Sequence, residues 1–182
     1  MKHYLRFIPN LISLVRISLV IPIVLNLLAG KYILALILFA VASISDAMDG
    51  FLARFFKWQT DLGKILDPVA DKLLMIGSIT VLWLNQIVPL SVFVIFVLRD
   101  LLILLGAAFE MSITEKTPSP NLIGKITTAC QIIYILGLII FEIFSVNINV
   151  QIFHILIGSI SLFSLISYFR WWLNSNFIKQ NV

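Results

Sequence analysis

Long apolar segments alternate with polar breaks along this chain. Six apolar segments each approach the ~20 residues that a helix needs to cross a lipid bilayer. They cover residues 11–28, 32–53, 68–84, 88–109, 123–144 and 150–173. Short breaks near residues 29–31, 85–87 and 145–149 alternate with longer polar ones near residues 55–67 and 110–122. The pattern predicts an all-α integral membrane protein with six transmembrane helices.

The positions of lysine and arginine predict how these helices are oriented. With a cytoplasmic N-terminus, many basic residues fall at or near cytoplasmic ends: Lys2, Arg6, Arg54, Lys57, Lys64, Lys72, Lys116, Lys125, Arg170 and Lys179. Lys31 alone then falls in an external loop, and six spans place both termini inside. Residues 1–9 mix aromatic, aliphatic and basic side chains, which predicts a short interfacial helix before the first span.

Composition agrees with a lipid environment. The chain has 182 residues, expected to form a single membrane domain over residues 1–182, and 12% of them are charged, about half of the ~25% usual in soluble proteins. The first apolar run is long enough to span, so no cleavable signal peptide is expected. Cys130 is the single cysteine, which excludes an intramolecular disulfide. The net charge of +4 comes from dispersed basic residues, which argues against nucleic-acid binding.

Acidic residues are concentrated in one short region. Nine are present in the chain, and five of them lie between Asp46 and Asp71. A charged side chain inside a membrane helix costs about 3 kcal/mol or more. Packing does not require such residues, so this concentration indicates a compensating partner, and a divalent cation is the strongest candidate.

The spacing of four of these carboxylates favours a cation. Asp46 and Asp49 are three residues apart, and Asp67 and Asp71 are four apart, so each pair shares one face of a helix. Two antiparallel helices would therefore direct four carboxylates towards one point. Hard oxygen ligands of this kind suit Mg²⁺ or Mn²⁺, and magnesium keeps coordination sites for phosphate oxygens.

Neighbouring residues suit a phosphorylated ligand. Gly50, Ala53 and Gly63 leave the helix surfaces bare, so a ligand can approach the backbone closely. Arg54 offers a planar fork of donors for phosphate.

Simpler interpretations exist for each residue separately. Asp67 precedes Pro68 and could be an N-cap before a helix that begins with proline. Asp46 and Asp49 could form a solvated helix end beside Arg54, and the small residues could serve helix packing. The joint arrangement is what these interpretations leave unexplained.

The combined motif resembles a known family signature. The order is Asp46-x-x-Asp49-Gly50-x-x-Ala53-Arg54, then eight residues, then Gly63-x-x-x-Asp67-x-x-x-Asp71. All eight fixed positions match the signature of the CDP-alcohol phosphatidyltransferases.

This resemblance implies a six-helix membrane enzyme that transfers a phosphatidyl group from CDP-diacylglycerol to an alcohol and releases CMP. It implies two Mg²⁺ or Mn²⁺ ions ligated by Asp46, Asp49, Asp67 and Asp71, with Asp71 also the base that deprotonates the acceptor. The implied CDP-binding residues are Asp49, Gly50, Ala53, Arg54 and Gly63. A homodimer in the bacterial inner membrane, with a cytoplasmic active site, is implied as well.

The acceptor alcohol is less strongly indicated. The start at Pro9 and the segment 124–131 resemble phosphatidylglycerophosphate synthases, so glycerol 3-phosphate is expected, with Arg99 and Lys125 as candidate acceptor-binding residues. Those synthases carry a second arginine where this chain has Ala107. The run from Arg99 to Gly106 instead resembles the CMP-forming cardiolipin synthases, which use phosphatidylglycerol. Alternatively, Arg99 pairs with local carboxylates and Lys125 is a snorkelling residue.

A transporter is the alternative from another class, since carboxylates inside a membrane also mark cation or proton pathways. A transporter would carry polar groups across the whole bilayer depth. Here the outer halves of the spans are almost uncharged, with Glu142 as the main exception. The sequence therefore favours the enzyme.

Overall fold

The computed structural model describes residues 8–56, 61–114, 122–146 and 149–179, which form six α-helices and, in these ranges, no strand. The helices are α1 (Ile8–Leu28), α2 (Tyr32–Phe55), α3 (Asp61–Leu84), α4 (Leu90–Thr114), α5 (Leu122–Ile143) and α6 (Gln151–Lys179). Only the backbone is described for residues 8–11, 46–54, 61–67, 107–114 and 171–179. The prediction of an all-α fold is confirmed. The expected interfacial helix over residues 1–9 lies almost wholly outside the described residues.

The bounds of α1, α2 and α5 agree with the apolar segments to within three residues, but α3 begins earlier than predicted. It starts at Asp61, so Pro68 lies inside the helix. The prediction was wrong because the first two turns of α3 are too polar to appear in an apolar run. The N-cap interpretation of Asp67 is also wrong, because Asp67 lies inside a helix that begins at Asp61. The ends of α4 and α6 also extend past their apolar segments.

Three helices end in the same backbone motif. Gly30, Gln86 and Ser145 follow α1, α3 and α5 and adopt the left-handed conformation, with φ of 69°, 61° and 49°. At each, the left-handed residue donates its N–H to the carbonyl three residues back. The next residue donates to the carbonyl five residues back. This is the Schellman motif, which satisfies the last carbonyls of a helix without side chains.

One compact unit contains α1, α2, α3 and the segment Leu138–Val146. Within it α1 contacts both α2 and α3. Its core consists of apolar side chains that are almost fully buried, among them Ile23, Leu27, Ala35, Phe39, Leu74, Met75 and Ile79. Gly77 permits the close approach of α1 and α3, since a Cβ there would lie 2.9 Å from Val24 Cγ2 and 3.4 Å from Val20 Cγ1.

The second unit contains α4, most of α5 and α6. Helices α4 and α6 contact each other, with Gly158 facing Val92. The hydroxyl of Tyr134 on α5 lies 2.6 Å from Nδ1 of His154 on α6, so this polar pair is satisfied inside an otherwise apolar region. The prediction of one domain is not tested by this division and stays a prediction.

The surface is largely apolar. Ile152, Ile155 and Phe163 on α6 are 64%, 68% and 63% exposed, and exposure of this kind suits lipid rather than water. Among the described residues, Leu122–Ile143 and Gln151–Arg170 are long and apolar enough to cross a bilayer. Ile12–Leu28 and Tyr32–Ser45 are shorter apolar helices.

Candidate active site

The buried stripe of α2 leads into the first half of the acidic motif. Ala35, Phe39 and Ala42 are almost fully buried, and their spacing of four and three residues defines the interior face of the helix. Continuing that spacing along the helical backbone reaches positions 46, 49 and 53. Positions 46, 49 and 53 therefore continue the helix face that is buried earlier in α2.

The second half of the motif lies on the interior stripe of α3. Leu74, Met75 and Ser78 are buried on this face, and Asp71 lies one turn before Leu74 on it. Asp71 is partly buried, and position 67 lies one turn earlier again. Both halves of the motif therefore belong to the same unit and to the interior faces of their helices.

The structure gives the predicted site residues unequal support. The backbone is helical at Asp46, Asp49, Gly50, Ala53, Arg54, Gly63 and Asp67, but their side chains lie outside the described residues. Among the side chains that are described, no three His, Cys, Asp or Glu come together. Metal ligation and CDP binding by these residues therefore stay predictions.

Arg16 belongs to this unit and was missed by the sequence analysis. It lies on the buried stripe of α1 with Ser13, Ile23 and Leu27, and it is 1% exposed. A charged residue within an apolar helix is itself a signal of function. Arg16 was visible in the sequence as a charge within an apolar run. It was missed because the basic residues were interpreted only as signals of membrane topology.

The second unit contains another buried arginine, Arg99 on α4, which is also 1% exposed. Its Nη1 donates to Oδ1 of Asp100 at 2.5 Å. Further bonds reach Thr128 and Gln131 on α5 at 3.3 and 3.4 Å.

The remaining nitrogens of Arg99 are also engaged. Nη2 donates to the Gly124 carbonyl at 3.0 Å and to Ser164 Oγ on α6 at 3.2 Å. Nε also faces Ser164 Oγ, at 3.4 Å. The guanidinium therefore links α4, α5 and α6.

The two residues assigned to the acceptor differ in their exposure. Arg99 contacts the segment 124–131, which carried the resemblance to phosphatidylglycerophosphate synthases, whereas Lys125 in that segment is exposed. The ion pair with Asp100 is the local pairing considered as the alternative for Arg99. Acceptor binding by either residue stays a prediction.

Comparison with known proteins identifies the family. The family model of the CDP-alcohol phosphatidyltransferases matches residues 6–172, which is most of the chain. The chain belongs to this family.

Three curated relatives within the phosphatidyltransferases each carry one of two names. The CDP-diacylglycerol--glycerol-3-phosphate 3-phosphatidyltransferase of Aquifex aeolicus is 34% identical over 143 residues, covering 77% of this chain and 79% of the relative. The protein of the same name from Bacillus subtilis is 30% identical over 149 residues, covering 73% and 76%. The cardiolipin synthase (CMP-forming) of Rattus norvegicus is 30% identical over 145 residues, covering 70% of this chain and 48% of the relative.

Family membership fixes the class of protein. This phosphatidyltransferase is a membrane enzyme of phospholipid biosynthesis that acts on a CDP-activated alcohol. The transporter alternative is thereby excluded.

Proposed function

We propose that this phosphatidyltransferase transfers the phosphatidyl group of CDP-diacylglycerol to glycerol 3-phosphate, giving phosphatidylglycerophosphate and CMP. We further propose that the transfer requires Mg²⁺ or Mn²⁺, with two ions held by Asp46, Asp49, Asp67 and Asp71. The observation that supports the site best is the position of these residues. They continue the buried stripes of α2 and α3 within one compact unit.

The donor set fits a hard divalent cation. It consists of carboxylates alone, which magnesium prefers over nitrogen or sulfur ligands. Bound magnesium would supply neutralisation of the pyrophosphate oxygens and of the departing CMP. Arg54 and the bare backbone at Gly50, Ala53 and Gly63 would hold the CDP moiety from the same helices.

The chain itself must move one proton. The acceptor hydroxyl oxygen attacks the phosphorus that carries diacylglycerol, forming one P–O bond while the bond to the CMP oxygen breaks. The hydroxyl proton passes to the Asp71 carboxylate, which we assign as the general base. Asp71 lies on the interior face of α3 and is only partly buried, as a base that meets an incoming hydroxyl must be.

Two observations bear on the acceptor. Two relatives, of which the chain covers 79% and 76%, both carry glycerol 3-phosphate in their names, which supports that acceptor. Ala107 at the position of a second arginine, together with the similarity to a cardiolipin synthase, supports phosphatidylglycerol as the second candidate.

CMP release by the purified protein in detergent tests the acceptor directly. The donor is CDP-diacylglycerol with magnesium, and the two acceptors are offered separately. Release with glycerol 3-phosphate alone is expected, and release with phosphatidylglycerol alone would overturn the assignment. The Asp71→Asn variant is the control for release that does not depend on the site.

We also propose six spans, a cytoplasmic site in the bacterial inner membrane and a homodimer. Cysteines introduced at the exposed residues Lys31 and Phe56, in a Cys130→Ser background, test the topology. A membrane-impermeant maleimide added to intact cells should label position 31 and spare position 56; the reverse pattern contradicts the orientation. A protein mass in detergent near that of one 20.6 kDa chain would contradict the dimer.

A further inference from the structure

A buried cation in the same compact unit as the proposed metal site has no assigned role. Arg16 is 1% exposed and lies eight residues into α1, which is about 12 Å along the helix. Its neighbours on the buried stripe of α1 are apolar apart from Ser13. Because α1 contacts both α2 and α3, this stripe faces the two helices that carry the acidic motif.

The contact of Gly77 places Arg16 near the level of Asp71, and the contact of Asn85 gives the relative direction of the two helices. Gly77 on α3 packs between Val20 and Val24 of α1, and Asn85 Nδ2 donates to the Leu27 carbonyl at 3.3 Å. Positions on α1 and α3 therefore advance together, so the two helices are parallel. Arg16 lies six residues before the midpoint of Val20 and Val24, and Asp71 lies six residues before Gly77.

The turn between α1 and α2 gives a second, independent register. The turn at Gly30 is tight, so residues at equal distances from it lie at similar levels on the two helices. Arg16 is 14 residues before Gly30 and Asp46 is 16 residues after it. The difference of two residues is about 3 Å along a helix axis.

We propose that Arg16 is the resident counter-charge of the acidic motif: it balances and positions the four carboxylates before metal binds. The proposal rests on the metal site proposed above. Arginine suits this role because it keeps its charge when buried and offers a rigid fork of donors to carboxylate oxygens.

Electrostatics predict how removing the charge of Arg16 changes stability and magnesium affinity. Several carboxylates in a low-dielectric interior repel one another, and a nearby cation lowers that cost. Magnesium supplies the same compensation when it binds, so Arg16 and the metal partly replace each other. Removing the charge of Arg16 should therefore destabilise the metal-free protein and strengthen magnesium binding. A purely structural arginine would contribute equally with and without metal.

The test is thermal unfolding of the full chain in detergent, followed by circular dichroism, in EDTA and across a magnesium titration. Arg16→Met removes the charge at similar length, and Arg16→Lys keeps the charge but loses the fork. Arg99→Met is the matched control, because Arg99 is an equally buried arginine of the second unit.

We expect the effect of magnesium on stability to change in Arg16→Met and not in the two control variants. Arg16→Met should unfold at lower temperature in EDTA, gain more from magnesium than the unsubstituted protein, and bind magnesium about tenfold or more tightly. Arg16→Lys should keep a magnesium affinity close to that of the unsubstituted protein. Arg99→Met should lose stability by the same amount with and without magnesium.

A double variant keeps the test decisive if Arg16→Met folds poorly. Adding Asp71→Asn removes one charge of each sign, so Arg16→Met/Asp71→Asn should unfold in EDTA at a higher temperature than Arg16→Met. Where Arg16→Met alone does not accumulate, the double variant should accumulate as folded protein. If the double variant does not accumulate either, the proposal is overturned.

Three further outcomes overturn the proposal in different ways. An equal loss of stability with and without magnesium would make Arg16 a packing residue. An unchanged magnesium dependence with a raised KM for CDP-diacylglycerol would make it a phosphate ligand instead. Absence of any magnesium effect on the unsubstituted protein would refute the metal site itself, and this inference with it.

Discussion

The contact between α1 and α3 at Gly77 leads to a quantitative prediction about stability. A Cβ at position 77 would lie 2.9 Å from Val24 Cγ2, whereas carbon atoms in contact prefer about 3.5–4.0 Å. Valine is nearly fixed in one rotamer on a helix, so the side chain cannot turn away. Gly77→Ala must therefore separate the two helices, and overpacking of this kind costs about 1–3 kcal/mol.

The matched control is Gly137→Ala, because nothing lies within 4 Å of a Cβ at Gly137. Both substitutions gain the same helix propensity, about 1 kcal/mol, so comparing them isolates the packing term. Gly77→Ala should therefore be about 1–3 kcal/mol less stable than Gly137→Ala. At about 2–4 °C per kcal/mol for a chain of this size, the difference is measurable by thermal unfolding in detergent.

A second substitution identifies the contact responsible. Val24→Ala removes Cγ2, so it should cost less in the Gly77→Ala background than alone, and the difference is the coupling between the two residues. Equal stability of Gly77→Ala and Gly137→Ala would refute a clash at the contact of α1 and α3. An equal cost of Val24→Ala in both backgrounds would show that Val24 is not the residue in contact.

Three other predictions concern charged residues. Asp71→Asn should lower CMP release by about a hundredfold or more, the usual contribution of a general base, while circular dichroism shows unchanged helix content; near-normal turnover would remove it as the base. Asp46→Asn should shift the magnesium dependence of CMP release to higher concentration, and an unchanged titration argues against ligation. Arg99→Met leaves Asp100 as a buried charge without its ion pair, so unfolding should be easier by about 3–5 kcal/mol. A loss below about 1 kcal/mol, the value of an exposed ion pair, would contradict the buried network.

The helices could be predicted from the sequence where lipid alone determines them. Apolar runs gave the bounds of α1, α2 and α5 closely, because hydropathy and helix coincide inside a bilayer. They failed at the start of α3, where Asp61 begins a helix whose first turns carry Gly63, Lys64 and Asp67. A polar helical extension of this kind has no apolar signal.

The site could be predicted in part for a similar reason. The spacing of the four aspartates follows from helical geometry, so their shared faces were predictable from sequence alone. The partners of Arg99 were not, because Ser164 lies 65 residues away along the chain and only the packing of α4, α5 and α6 brings it close. Arg16 was visible as a charge in an apolar run, yet its level relative to Asp71 required the packing of Gly77.

The three Schellman motifs have a consequence for biogenesis. In the proposed topology, the ends of α1, α3 and α5 face outward, and each is closed by the backbone hydrogen bonds of a Schellman motif at Gly30, Gln86 and Ser145. Between α1 and α2 the chain reverses within a few residues, so very little polar polypeptide has to be translocated there during insertion. Because α1 and α2 contact each other, they can enter the bilayer as a pre-paired hairpin. The polar segments that carry the chemistry stay on the side where the ribosome delivers them.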